Sequence, residues 1–323
     1  MATTGDLLYL SSTDIDALAL TPQDTANAVE AAYLALAKNG AASVPKSGFD
    51  VTASTFFHAM PARYDAKGTV GTKWIGTALN AALGLPHINA MIVLSDIETA
   101  VIKSVMDGTV VTAIRPAAVS LVAARRLARP DSSRISFYPC GVQARAHLDA
   151  FATEFPIRDV TCYSRTIATA EAFAVYARER GFSAAVVTDA RRAVQDQDII
   201  VSSAPRAADL AKVLDPTWLS QGAFVTGVDL GRAWRCQDLR QLELLATDNH
   251  IQSREAAATG VLPWIGEYDA ELSELVSRSH PGRTTTKQRA FFIHPGLGLG
   301  DIAIGALALE RAQAKGIGTV LAR

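Results

Sequence analysis

Cysteine, aromatic rings and surplus charge are all scarce in this chain. The three cysteines, Cys140, Cys162 and Cys236, are odd in number and far apart, so they outline no disulfide framework. No C-x-x-C and no H-E-x-x-H run occurs, and a zinc site is not expected. Acids and bases nearly balance, at 32 against 31, and no basic stripe is present. Nucleic-acid partners are thereby excluded, because phosphate binding needs clustered Lys and Arg. Aromatic residues make up only 7%, too few for a base-stacking surface. No uncharged apolar run reaches the roughly 18 residues of a membrane helix. The opening MATTGDLLYL lacks a basic region and an apolar core, so it is not read as a signal peptide. No membrane partner and a cytoplasmic location are expected.

The chain does have ample apolar material, 49% of 323 residues, enough for two domains of about 100–200 residues each. Residues 12–39 predict one or two helices, with Thr21 as cap, Pro22 in the first helical position and Asn39-Gly40 as the stop. Residues 44–114 read as strand-rich: FFHAM, TVGTKWIG, INAMIVLSD, AVIKSVMDG and TVVTAIR are short and β-branched. Asp107-Gly108 is a turn signal for a hairpin. A helix is then expected from Pro116, and strands and helices alternate from about 119 to 290. ISFYP, DVTCYS, AAVVT, DIIVSS, AFVTGV and LLATD supply the strands. Such alternation implies a parallel sheet covered on both faces. The closing segment, FFIHPGLGLGDIAIGALALERAQAKG, is Gly-rich and then helical, with Asp301 where the helix starts. That helix is expected to return to the first domain.

The first strand of the alternating section runs into Pro139-Cys140-Gly141-Val142-Gln143-Ala144. A dinucleotide turn is G-x-G-x-x-G/A, and here Pro139 replaces the first glycine. Gly141 keeps the position that lets a pyrophosphate approach a helix N-terminus. Proline supplies no N–H and fixes φ, so the turn is altered. On the motif alone, a plain strand-to-helix turn is an equal reading. The second strand ends in Tyr163-Ser164-Arg165-Thr166, without the acid that binds a ribose 2′-hydroxyl. Arg165 with Ser164 and Thr166 suits a 2′-phosphate and favours NADP over NAD.

The runs MDGTVVTAIRPAAVSLVAARRLA, GVQARAHLDAF, YSRT and DIIVSSA, with GEYDAELSELV, PGRT and FFIHPGLGLGDIAIGA near the end, resemble the ornithine cyclodeaminase/mu-crystallin family. The likeness extends from about Pro45 to Ala306. It implies a Rossmann-type doubly wound parallel sheet (residues 119–290) inserted in a discontinuous α+β substrate-binding and dimerisation domain (1–118 plus 291–323). It also implies a homodimer, a bound NADP or NAD, and a small amino or imino acid as substrate. Carried over residue by residue, Lys46, Lys73 and Arg115 would bind the substrate carboxylate, and Lys73 and Asp229 would act in catalysis. Gly141, Val142, Gln143, Ser164, Arg165, Thr166 and Ser203 would hold the cofactor. Three positions depart from the family pattern: Pro116, Pro139 and Pro295.

Arg115 suits such a role because its planar fork pairs with both carboxylate oxygens. Lys73 or Asp229 would manage the proton on nitrogen. Taken singly, each of these residues also fits a surface pair or a turn. The stretch FHAMPA with GTKWIGTALNAALGLPHINA is similar to the Δ1-pyrroline-2-carboxylate and ketimine reductase branch. The expected activity is therefore NAD(P)H-dependent reduction of a small cyclic imino acid to an L-amino acid. Asp229 keeps open an ornithine-type cyclodeaminase with recycled NAD. Pro139 keeps open a non-catalytic, crystallin-like binding protein.

Overall fold

The computed structural model describes residues 6–52, 54–80, 83–206 and 210–322. The first five residues of the chain start, and Ala81 and Ala82 of the GTKWIGTALNAALG run, lie outside them. The chain divides into two compact units, Met1–Arg115 with Gly296–Arg323, and Pro116–Pro295.

In the first unit, β1 (Leu7–Leu10) leads into α1 (Ser12–Ala17) and α2 (Pro22–Ala37). Both helices start on capping boxes, Ser11 with Asp14 and Thr21 with Asp24. Asn39, with φ 62°, turns the chain out of α2 as the sequence predicts. An antiparallel ladder follows: β2 (Ala41–Ser43), β3 (Ser47–Asp50), β4 (Phe56–Tyr64), β5 (Thr69–Thr77), β6 (Ile88–Asp96) and β7 (Ile102–Asp107). β1 joins β7 in parallel.

The sequence reading fails at the end of β7. Asp107-Gly108 closes no hairpin, and TVVTAIR is not a strand. Both open α3 (Thr109–Leu127), which places Pro116 inside the helix rather than at its start. The Asp107 carboxylate accepts from the Thr109 N–H at 2.6 Å, and the Gly108 carbonyl accepts from Thr112 at 2.8 Å. The β-branched residues cost only a few tenths of a kcal/mol each in a helix. A cap and a buried face outweigh that, with Val111, Thr112 and Arg115 all buried.

In the second unit the strands are β8 (Arg134–Tyr138), β9 (Asp159–Cys162), β10 (Ser183–Val186), β11 (Ile199–Ser202), β12 (Phe224–Gly227), β13 (Leu244–Thr247), β14 (Ala270–Glu271) and β15 (Ala290–Ile293). All pair in parallel, in the order β10-β9-β8-β11-β12-β15-β13-β14. This is the Rossmann-type doubly wound sheet. Strands β11, β12, β13 and β15 are buried at every residue, as a sheet covered on both faces requires. The FFI run, read as part of a Gly-rich tail, is the strand β15 that sits between β12 and β13. The helices α4 (Val142–Phe151), α5 (Ile167–Glu179), α6 (Ala190–Val194), α7 (His250–Ala258) and α8 (Leu272–Ser277) belong to this unit. The order reverses between β8 and β11, and ligands of open α/β sheets bind outside the strand ends at such a point.

The closing helix α9 (Gly298–Lys315) packs on β4, β5 and β6 of the first unit, and β16 (Thr319–Leu321) pairs with β1. Among the described residues no helix is long and apolar enough to cross a membrane.

Candidate functional site

Two places carry the chemistry, one in each unit. In the first unit, β5 alternates: Thr69, Gly71 and Lys73 are buried, while Val70 and Trp74 are exposed on the opposite face. Register sets Met60 of β4 and Ile92 of β6 beside Lys73. Its amine therefore lies in the apolar layer under α9, fully buried.

The partner of Lys73 comes from 228 residues further along. Asp301, in the first turn of α9, accepts from Lys73 Nζ at 2.6 Å through Oδ1. The same oxygen accepts from Arg115 Nε at 3.4 Å. The Asp301 side chain is fully buried and that of Arg115 is 9% exposed. Burial and the Arg115 charge push the Lys73 amine down, and Asp301 holds it up, leaving it at about 8.

Glycines make the approach possible. A Cβ on Gly296 would lie 2.7 Å from an Arg115 nitrogen, and one on Gly298 would lie 2.3 Å from the Met60 carbonyl oxygen. Gly296 also has φ +88°, which few other residues adopt. The motif PGLGLGD thus clears the guanidinium, seats α9 on β4 and delivers the acid. Lys46 lies half-buried just before Ser47, which pairs with Ala59.

In the second unit, a cleft of about 670 Å³ opens at the carboxyl ends of β8, β9, β10 and β11. Ser164, Arg165 and Thr166 line it, as do Tyr138, Pro139 and Tyr163. The two tyrosine rings stack, with centroids 5.0 Å apart. Gly141 caps α4 without a side-chain bond, so the first N–H groups of that helix have no side-chain partner at the cap. Nothing lies within 4 Å of where its Cβ would be. Val142 is exposed and Gln143 follows it in the first turn. Ser164 Oγ accepts from the Cys140 N–H at 2.9 Å, tying the turn to the end of β9. Ser203 stands beside the cleft, its N–H donating to the Tyr138 carbonyl at 2.7 Å. Thr166 caps α5 without a side-chain bond to its backbone.

These features fit a dinucleotide. The open space at Gly141 and the uncapped start of α4 suit a pyrophosphate. Arg165 at the start of α5 suits a 2′-phosphate. Pro139 lines the cleft without closing it.

Asp229 belongs to the second unit, and Lys73 and Arg115 to the first. It follows β12 and is fully buried. Its Oδ1 accepts from Ser202 Oγ at 2.9 Å and from the Gly231 N–H at 3.0 Å. Burial raises its carboxyl above the usual range, against those hydrogen bonds and the Arg232 charge.

Sequence reasoning missed Asp301 as a site residue and placed it only as a helix-start signal. A lone acid inside the apolar, glycine-rich run LGLGDIAIGA was the available clue. It also missed Tyr138 and Tyr163, whose strand-end positions were the clue.

The family model for the ornithine cyclodeaminase/mu-crystallin family matches residues 8–316. The structure of Thermococcus litoralis Δ1-pyrroline-2-carboxylate reductase in complex with NADH and L-proline is similar, with TM-score 0.86 and 27% identity over 97% of this chain and 99% of that one. An archaeal alanine dehydrogenase dimer with bound NAD has TM-score 0.88 and 27% identity over 98% and 99%. Ketimine reductase mu-crystallin of Mus musculus is 28% identical over 79% of this chain and 80% of its own length. The chain belongs to the ornithine cyclodeaminase/mu-crystallin family.

Proposed function

We propose that this protein is an NAD(P)H-dependent reductase of small cyclic imino acids of the Δ1-pyrroline-2-carboxylate type, giving an L-amino acid. The observation that carries this reading is the buried Lys73–Asp301–Arg115 cluster. Arg115 offers a planar fork for the substrate carboxylate, and Lys46 adds a second positive charge. Lys73, near 8, holds a proton at neutral pH and can release it to the imine nitrogen. Reduced nicotinamide, when bound, supplies the hydride for the imine carbon. Gly141, Val142 and Gln143 would receive its pyrophosphate, with Ser164, Arg165, Thr166 and Ser203 on the adenosine side. The absence of an acid at the end of β9 favours NADP. The similar reductase with NADH and L-proline, and the ketimine reductase, support the substrate class. The dimeric alanine dehydrogenase supports a homodimer.

Asp229 favours a second reading, an ornithine-type cyclodeaminase, because burial raises this carboxyl above the usual range and suits it to acid–base work. One experiment separates the two. The purified protein is incubated with Δ1-pyrroline-2-carboxylate and NADPH, and separately with ornithine and NAD. Net loss of NADPH absorbance is expected in the first. Ammonia release from ornithine without net cofactor change would replace the reductase with the cyclodeaminase. Failure to bind NADPH or NADH at millimolar concentration would leave a non-catalytic protein.

A further inference from the structure

We propose that Asp301 is the positioning residue of the charged cluster: its carboxylate fixes the Lys73 ammonium on β5 and compensates its buried charge. This deepens the reductase reading and rests on Lys73 as the proton donor.

The geometry is specific. Lys73 Nζ and Asp301 Oδ1 are 2.6 Å apart, and both side chains are 0% exposed. Arg115 Nε meets the same oxygen at 3.4 Å. Oδ1 therefore serves both cations, while Oδ2 is buried without a hydrogen-bond partner among the described residues. Asp301 sits in the first turn of α9, where the helix dipole favours an ionised carboxylate. The groups beside Lys73 on the flanking strands, Met60 and Ile92, do not titrate. The charged groups that face its amine are Asp301 from α9 and Arg115 from α3.

The consequence follows from the signs. Burial and Arg115 both drive the proton off Lys73, and Asp301 alone opposes them. In Asp301→Asn the amine is left desolvated beside a guanidinium. Its titration should move below about 8, to pH 7 or lower, so that at least half of the amine is neutral at pH 7. Imine reduction needs the protonated amine, so its activity is lost as pH rises through this titration. Amine oxidation needs the neutral form, so its activity is lost as pH falls through it. Both limbs should move to lower pH in Asp301→Asn. A merely structural defect would lower both activities without moving either limb.

The test reads the amine directly. Protein labelled with 13Cε-lysine is titrated by NMR, and the Lys73 signal is assigned by its loss in Lys73→Met. The midpoint should fall by at least one pH unit in Asp301→Asn, a tenfold loss in the ratio of protonated to neutral amine at a given pH above the wild-type midpoint. It should stay near the wild-type value in Asp301→Glu. An unchanged midpoint in Asp301→Asn overturns the proposal. This readout needs no substrate: absence of turnover with imino acids would count against the reductase reading and leave the Asp301 result standing. If Asp301→Asn does not fold, the double variant Lys73→Met, Asp301→Asn decides. Recovery of folding supports the proposal, because the uncompensated ammonium was then the defect. A double variant that stays unfolded overturns it.

Discussion

Ser120 stands at the centre of a buried hydrogen-bond network in the second unit. Its Oγ lies 3.0 Å from His147 Nε2, 2.8 Å from Thr226 Oγ1 and 3.2 Å from His294 Nε2. His147 Nδ1 stands 2.7 Å from the Gln143 carbonyl, which can only accept, so Nδ1 carries the hydrogen. Burial pushes His147 down to about 4, so the ring is neutral at pH 7 and its Nε2 accepts from Ser120. Ser120 then has no hydrogen left, and Thr226 and His294 must donate to it. The network is closed only while His147 stays neutral. Its folded-state value lies below the ordinary 6.5, so the unfolded chain takes up the proton first as pH falls. Stability is full above pH 6.5 and declines toward pH 4, by about 3 kcal/mol over that window. Urea melts of wild type and His147→Asn at pH 7 and pH 4.5 should show this loss largely gone in the variant. Equal losses in both would place the acid sensitivity elsewhere. Little of this network was legible in the sequence. Its members are set together by the sheet, since Ser120 and His294 are 174 residues apart.

Elements were legible where one local signal dominated. The Thr21 cap with Pro22 at the start of α2, and the strand TVGTKWIG that is β5, are of that kind. TVVTAIR failed because its β-branched composition competes with a cap at Asp107 and with burial, and composition cannot weigh those. At the start of α5 the sequence carries an expectation that binding can test. Tyr163-Ser164-Arg165-Thr166 leaves the end of β9, lines the cleft and enters a helix whose first N–H groups lack a side-chain cap. A 2′-phosphate there would gain a charge-assisted bond from Arg165 and the favourable end of the helix dipole. Arg165→Ala should therefore weaken NADPH binding about tenfold, or ~1.4 kcal/mol, and change NADH binding little. Nicotinamide fluorescence titrations check this. An equal loss for both cofactors would remove the case for a 2′-phosphate at this strand end.

At the scale of the whole molecule, the parallel sheet of the second unit was legible because strand–helix alternation begins and ends along the chain. The pairing of Lys73 with Asp301 was not, since it depends on α9 closing over β5 from the far end of the sequence. That closure covers one face of the first sheet and leaves the other. On the open face, register sets Phe49 against Phe57, and Phe57 against Gly76, whose missing Cβ leaves room for the Phe57 ring. Phe57 stacks with Trp74 at 5.9 Å. Phe49 is 71% exposed, Trp74 46% and Val70 40%. An apolar stripe of this kind is costly to leave in water. In the homodimer proposed above, a second copy of the chain would cover this stripe. A symmetric partner would set the same stripe against itself, so one substitution acts twice in each interface. Trp74→Glu then places two carboxylates in the contact and should shift the protein from dimer to monomer at micromolar concentration. Trp74 points away from Lys73, so the Lys73 titration should be unchanged in that variant. Sedimentation velocity of both proteins decides: a wild-type monomer, or a variant that stays dimeric, would show that this face is not the one that pairs.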